Sequence, residues 1–313
     1  MKLSPYKKSL ILLLGFLMTG VIVVRGQQEQ MYSQYMFNML TVNPAYAGNL
    51  VEDNITALYR YQWVGIYGSP RTGTLTWDRR AEQSNVGYGL GLYNDRLGIE
   101  NTSGLQGYYS YHIPFEHSSL ALGISAGVLN YRAELTKSTL YNPNDPSFDH
   151  DVSGWLPTFG FGVLYSTDNW YAGFSIPAML NTKISAVTRN KILQKNLGAD
   201  FHYFLTGGYI FTLTEDIKLK PSLLLKAVRG APFEFDFNVN AWFADLIGVG
   251  VSYRTGDAIL GMLEFQITPQ IRIGYAYDYT LTELRNYNQG SHELLLRYSF
   301  SQKEKKILSP RYY

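Results

Sequence analysis

Three consecutive residues, Ser291-His292-Glu293, carry the side-chain types of a hydrolytic triad: a nucleophile, a base and a group to orient the base. They fall in a stretch that reads as a β-strand, where neighbouring side chains point to opposite faces, so the three cannot assemble on one another. A hairpin end with polar contacts is the reading that fits. The other histidines are His112, His117, His150 and His202, and no G-x-S-x-G elbow occurs. Asp149-His150-Asp151, close to Asn142-Pro143-Asn144-Asp145-Pro146, offers the carboxylates of a calcium loop. The spacing is not that of an EF-hand, and Asn-Pro and Asp-Pro are ordinary turn chemistry. The chain has no cysteine, which excludes disulfides, thiolate metal sites and a lipidated N-terminal cysteine. No catalytic residue, cofactor or metal is assigned.

A second constellation is larger. Lys218, Lys220, Lys226, Glu234, Asp236, Arg254, Glu264, Arg272, Asp278, Glu293 and Arg297 fall at alternate positions of apolar runs. A selectivity ring for a solute needs one sign to dominate. The mixture of signs predicts ion pairs bracing an interior.

The elements that position these charges have a period of two. In Phe233-Glu234-Phe235-Asp236-Phe237-Asn238-Val239-Asn240-Ala241 every odd residue is apolar and every even one polar. Similar runs fall near 54–63, 70–79, 85–93, 104–113, 119–131, 157–166, 169–176, 200–213, 217–228, 233–243, 246–254, 258–268, 270–280 and 291–301. With 26 Tyr and 16 Phe, these runs predict an all-β fold. The expected form is a single 14-stranded antiparallel transmembrane barrel, lipid outside and polar side chains inside. A secreted β-sandwich is the rival. Connection lengths separate the two. Connections after even strands are short, such as Thr167-Asp168, Thr214-Glu215-Asp216, Asp245 and Pro269. The long ones, 132–156, 177–199 and 281–290, follow odd strands. Outer-membrane barrels show this parity, with short periplasmic turns and longer outer loops, and a sandwich has no reason to. Inward glycines at 87, 89, 91, 123, 127, 160, 162, 248 and 250 allow two readings: sheet curvature beneath aromatic rings, or room for an inserted segment.

Residues 1–26 read as a secretory signal peptide. Lys2, Lys7 and Lys8 precede an apolar run, Leu10–Val24, shorter than the roughly 20 residues of a membrane-spanning helix. Taking Lys2, Lys7, Lys8 and Arg25 from 27 basic residues leaves 23 against 25 acidic, a net charge of about −2. No basic patch argues for nucleic acid. Residues 27–53 form an N-terminal plug or periplasmic segment, 54–301 the barrel and 302–313 a periplasmic tail bearing Lys303, Glu304, Lys305 and Lys306. Met31, Tyr35 and Met39 recur at a helical spacing, so a short amphipathic helix is expected there, in the lumen as a plug.

This segment contains Gln34-Tyr35-Met36-Phe37-Asn38 and then Asn43-Pro44-Ala45-Tyr46-Ala47-Gly48. Further on stand Tyr253-Arg254-Thr255-Gly256-Asp257-Ala258, Gly274-Tyr275-Ala276-Tyr277-Asp278-Tyr279-Thr280, Gly290-Ser291-His292-Glu293 and Ser309-Pro310-Arg311-Tyr312-Tyr313. In order and along the whole mature chain, these resemble the motifs of the PorP/SprF family, outer-membrane barrels of the type IX secretion and gliding machinery. The resemblance singles out Tyr35, Phe37, Asn43, Pro44, Ala45, Tyr46 and Gly48 as a candidate plug motif. It singles out Tyr277, Asp278, Tyr279, Ser291, His292 and Glu293 as a last-hairpin motif. It implies a non-enzymatic barrel in the outer membrane that assists export or surface anchoring of a secreted protein. The implied partners are that protein, type IX secretion components and the lipid bilayer. Asn43-Pro44-Ala45 also resembles the plug motif of FadL-type transporters, which gives the alternative: a carrier for a hydrophobic small molecule.

Overall fold

The computed structural model describes residues 31–300, apart from 51–52, 82–83, 139–144, 146–147, 180–181, 189–190, 198–200 and 229–230; over 182–197 only the backbone is described. The leader, Gln27–Gln30, Asn142-Pro143-Asn144, the tail 302–313 with its charges and the motif at Ser309–Tyr313 lie outside the described residues.

The strands are β1 (Asp53–Tyr61), β2 (Arg71–Arg80), β3 (Val86–Leu97), β4 (Glu100–Pro114), β5 (Ser118–Ala133), β6 (Val152–Thr167) and β7 (Trp170–Ile176). Then come β8 (Thr182–Thr188), β9 (Lys191–Leu197), β10 (His202–Tyr209), β11 (Phe211–Thr212) and β12 (Ile217–Val228). The last five are β13 (Glu234–Phe243), β14 (Ile247–Arg254), β15 (Ala258–Gln266), β16 (Ile271–Thr280) and β17 (Ser291–Phe300). β8 and β9 pair only with each other, as a hairpin in a sheet of their own. β10 and β11 both pair with β12 and make one barrel strand, interrupted at the buried Ile210. The barrel therefore has fourteen strands, all antiparallel, and closes where β1 meets β17, from Asp53 opposite Phe300 to Tyr61 opposite His292. Closure leaves no strand edge to lipid, where an unpaired amide costs several kcal/mol.

Alternation decides which way the wall faces. Leu75, Leu92, Leu105, Ile124, Phe161, Phe237, Val251, Leu263 and Leu294 are exposed on the outside. Thr74, Gln106, Ser125, Thr158, Asn238, Ser252, Glu264 and Glu293 are buried inside. Aromatic pairs collect near the short-turn end: Trp77 against Tyr88, Tyr165 against Trp170, Tyr209 against Phe211 and Tyr298 against Phe300. Such rings mark a membrane–water interface.

β4, β5 and β6 run 15 or 16 residues, beyond the roughly 9–11 needed to cross the hydrocarbon. The sequence reading ends them early and makes the following loop longer; in the structure Leu129, Tyr131, Ala133 and Leu156 form a buried cluster in these outer parts. The connection after β7 carries the β8–β9 hairpin, which the same reading leaves as loop. The turn between β13 and β14 holds Ala244 and Asp245 at φ 50° and 57°, the conformation of a tight hairpin whose twist matches its strands.

Candidate functional site: the lumenal segment and its seat

Residues 31–50 lie inside the barrel. The expected amphipathic helix does not form; three 3-10 turns stand there, Tyr35–Phe37, Met39–Thr41 and Pro44–Tyr46. The physical reason is burial on every side. Tyr35, Met36, Met39, Leu40, Val42, Ala45, Tyr46 and Ala47 are all buried, so no face is left for solvent. Local bonds within the turns satisfy many of the segment's amides, and the barrel wall takes the N–H groups of Ser33, Gln34 and Gly48 and the carbonyls of Tyr32, Val42 and Ala47.

At the long-loop end a buried ion network holds the segment. The carboxylate of Glu293, 0% exposed, accepts from the backbone N–H groups of Ser33 at 2.8 Å and Gln34 at 2.7 Å. Asp278 accepts from the Ser33 hydroxyl at 2.7 Å. Arg60 reaches Asp278 at 2.7 Å and Glu293 at 3.2 Å and also donates to the Ser33 hydroxyl. Arg254 forks onto Asp236 with two bonds of 2.9 Å and donates to the Tyr32 carbonyl at 3.4 Å. Two carboxylates and one guanidinium around Ser33 would be costly in a dry interior if any partner were missing.

Lower down, the Asn238 amide donates to the Tyr35 hydroxyl at 2.6 Å, and Phe37 packs edge-on against Trp242. Asn43 is wholly buried. Its amide nitrogen donates to the Val163 carbonyl at 3.0 Å, and its side-chain oxygen caps the third turn by accepting from Ala45 N at 2.9 Å. Pro44 opens that turn, where its missing N–H is harmless.

Beneath this turn runs a row of small residues. Strand register places Gly87 opposite Ser110, Ser110 opposite Gly123, Gly123 opposite Gly162 and Gly162 opposite Ser175. The two serines grip: Ser175 donates to the Val42 carbonyl at 2.7 Å and Ser110 to the Ala47 carbonyl at 2.6 Å. The glycines make room. A β-carbon on Gly123 would overlap the Ala45 backbone, one on Gly162 the Asn43 amide, and one on Gly87 the Ala47 carbonyl. Gly48, at φ 62°, sits against the backbones of Arg79 and Gly87 and donates to Asp78 at 3.1 Å. Of the two readings of the inward glycines, the inserted segment holds at 87, 123 and 162, with Leu40 near 89. Neighbouring wall residues fill the space at 91, 127, 248 and 250, and Ser125 with Pro177 at 160. Gly123→Val is expected to cost about 1–3 kcal/mol by overpacking. The check is the temperature at which the barrel loses its folded mobility on a gel, and an unchanged temperature contradicts this seat.

The motifs at both chain ends thus converge on one segment. A family model described as "Type IX secretion system membrane protein PorP/SprF" matches residues 24–298.

The chain belongs to the PorP/SprF family.

No curated protein matches it by sequence. Among solved structures it is similar to the Ralstonia pickettii toluene transporter TbuX, at 11% identity over 88% of this chain and 95% of that one, TM-score 0.48. It is also similar to the CymD monoaromatic hydrocarbon channel, at 11% identity, 90% and 96% coverage and TM-score 0.49. A third is the KdgM porin, at 12%, 79% and 99%, TM-score 0.40. As a PorP/SprF barrel the protein sits in the outer membrane.

In this PorP/SprF chain the last-hairpin residues divide by parity. Asp278 and Glu293 face the lumen, and the Ser291 hydroxyl accepts from Trp63 N at 3.1 Å. His292 faces out with Tyr275 and Tyr277, 2.6 Å from the Tyr275 hydroxyl; Tyr279 is exposed too. Ser291, His292 and Glu293 therefore do not meet. His292→Ala is expected to change stability by no more than about 0.5 kcal/mol. Denaturant titration that shows a loss of several kcal/mol would contradict the outward placement.

The sequence reading finds no close Ser–His pair, yet one exists. Ser110 and His112, two apart on β4, share a face and lie 3.0 Å apart. Both also bond the Ala47 carbonyl, His112 at 2.9 Å, and both are buried. They clamp the segment and present no free nucleophile. In the outer loop Asp151 accepts from Thr136 N and Oγ1, at 3.1 and 2.7 Å, as a turn group. No cluster of metal-ligating side chains occurs among the described residues. Of the predicted interior charges, Arg254 pairs with Asp236 and Arg272 with Glu264, while Lys218 pairs with Asp245 of the short turn after β13. Sequence reasoning missed Ser33, Gln34, Arg60 and Ser175. The signal for Arg60 was its even position on the first strand, the lumenal parity.

Proposed function

We propose that this barrel assists the export or surface anchoring of one secreted protein by type IX secretion, without catalysis, and engages it through its outer loops. The observation that carries the reading is the occupied lumen. The segment 31–50 is hydrogen-bonded from the long-loop end to the short-turn end, which leaves beside it a cavity of about 270 Å³. That is below the roughly 300–1,000 Å³ of pockets for drug-sized ligands and far too small for a polypeptide in transit. Its lining mixes Thr74, Thr76, Gln106 and Asp95 with Met31, Val42, Leu129, Phe204 and Leu224, so it is the small volume that argues against a carrier of hydrophobic solutes. The work then falls to the outer surface, chiefly residues 132–156 and 177–199 and the hairpin β8–β9.

The test is purification of the barrel from its native membrane in mild detergent, with and without residues 182–197. A large surface protein or secretion subunits should travel with the full chain and be lost with the hairpin removed. Recovery of bound lipid alone would overturn the reading and favour the carrier.

A further inference from the structure

The outward face of β2–β5 changes character in three steps toward the long-loop end, the outer side in barrels of this kind. Register aligns Leu75, Leu92, Leu105 and Val128 in one apolar row. Two residues further along each strand stand Gly73, Asn94, Ser103 and Asn130, and Trp155 continues that row on β6. Asn94 donates to Asn101 at 2.6 Å and to Ser103 at 2.9 Å, and Trp155 is 71% exposed. Outward amides and an outward tryptophan mark the edge of the hydrocarbon. The third row is Arg71, Arg96, Asn101 and Arg132, with all three arginines exposed. Two steps of about 6.6 Å along a strand tilted about 45° rise roughly 9 Å, from the last apolar row into the headgroup layer of the outer leaflet.

Arg71 and Arg96 stand directly opposite each other on neighbouring strands, with β-carbons about 5 Å apart, where like charges repel. No described carboxylate lies within ion-pair distance of either. Arg71 is held in place without being neutralised: its guanidinium lies 4.6 Å from the centre of the Tyr61 ring and donates to the Tyr61 hydroxyl at 3.3 Å. Arg132, two strand spacings or about 10 Å from Arg96, meets Glu134 at 3.4 Å, and Lys137 engages the same carboxylate at 2.8 Å. The opposite sector of the wall differs. There the outermost paired row is Phe237, Tyr253, Ile259 and Tyr279, with no charge in it. Ordinary snorkelling of basic side chains to an interface neither gathers them in one sector nor sets two face to face.

We propose that Arg71 and Arg96 form the centre of a site for a phosphorylated lipid of the outer leaflet, with Arg132 as a further cationic arm at its edge. A phosphate between the two guanidinium groups accepts from both forks and turns their repulsion into charge-assisted hydrogen bonds. The acyl chains of the same lipid then run down the apolar row of Leu75, Leu92 and Leu105 directly beneath. The site lies on the lipid-facing wall, so it does not depend on which secreted protein is served.

The test uses the folded barrel purified from its membrane into neutral detergent, with gel mobility as the check on folding. The probes are diphosphorylated lipid A, the same lipid without its phosphates, and inorganic phosphate. Binding is read from the rise in unfolding temperature with ligand concentration. Diphosphorylated lipid A should bind the parent at least tenfold more tightly than the dephosphorylated lipid. Arg71→Gln combined with Arg96→Gln should lose at least tenfold, while Tyr253→Gln, in the uncharged sector, should bind as the parent does. Inorganic phosphate at the same concentrations should give no rise. Equal binding of the two lipids overturns the proposal, as does parent-like binding by the double variant. A rise with inorganic phosphate equal to that with the lipid assigns the arginines to a free anion and overturns the lipid site. Without lipid, Arg96→Gln should be no less stable than the parent, because it removes the opposed charge. A loss of stability there would show a structural pair instead. If the double variant does not fold, Arg96→Gln alone carries the same comparison, with a several-fold loss expected and parent-like binding as the overturning result.

Discussion

Deletion of residues 31–48 is expected to turn a closed barrel into a conducting one. Fourteen strands enclose more space than the eight-stranded barrels that side chains alone can fill, and less than the 16–18-stranded porins with an aqueous channel. In this protein the difference is made up by Tyr32, Tyr35, Phe37, Met39 and Tyr46, all buried in the lumen. Without them the inner wall presents Thr, Asn, Asp, Glu, Arg and Lys side chains, which water and small ions can solvate. In planar bilayers the parent should give no discrete steps and the deletion variant steady ones, smaller than those of a general porin. A deletion variant as silent as the parent would mean that the wall collapses or that another element seals it.

The second large effect is expected at Glu293. Its two oxygens satisfy two backbone amides and face Arg60, all of them buried. Glu293→Ala removes the acceptor for both amides and leaves the guanidinium with the Asp278 carboxylate and the Ser33 hydroxyl. Breaking a buried pair costs about 3–5 kcal/mol, and each unsatisfied amide about 1–3 kcal/mol. The terms share atoms and do not add. A loss of about 3–5 kcal/mol is therefore the expectation, from the urea midpoint of the barrel in detergent, together with brief conductance openings. Glu293→Gln keeps an acceptor oxygen for one amide and should lose less. Arg60→Met combined with Glu293→Ala should cost less than the sum of the two. Parent-like stability of Glu293→Ala would show that the segment is held elsewhere.

The wall was legible in the sequence because a strand between lipid and lumen imposes a period of two and leaves it visible in the chain. Phe235 out and Asp236 in follow from that period alone. The parity of connection lengths then supplied both the strand number and the sidedness. The lumenal segment was not legible in this way. Its partners lie at separations of 30 to 260 residues, from Gly48 with Asp78 to Ser33 with Glu293, and no local pattern encodes such pairs. The spacing of Met31, Tyr35 and Met39 suggested a helix because helical periodicity reports a boundary with water, and this segment has none. The motif resemblance drew attention to Asn43, Pro44 and Gly48, but the reason for those residue types lies in the glycine–serine row opposite them. Tyr277, Tyr279 and His292 belong to the same motif and face away from the segment. Membership in a motif did not by itself reveal which residues touch.

The row from Gly87 to Ser175 and the carboxylate of Glu293 lie at opposite ends of the sequence, yet both grip the same short stretch. The first strands can cradle Asn43 to Gly48 once β7 is in place. The amides of Ser33 and Gln34 must wait for β17, the last strand to be made and the one that seals the ring against β1. Ring closure and final docking of the amino-terminal stretch therefore finish together. The grip of Glu293 on that stretch thus becomes available only as the seam zips, and the early strands must hold it until then.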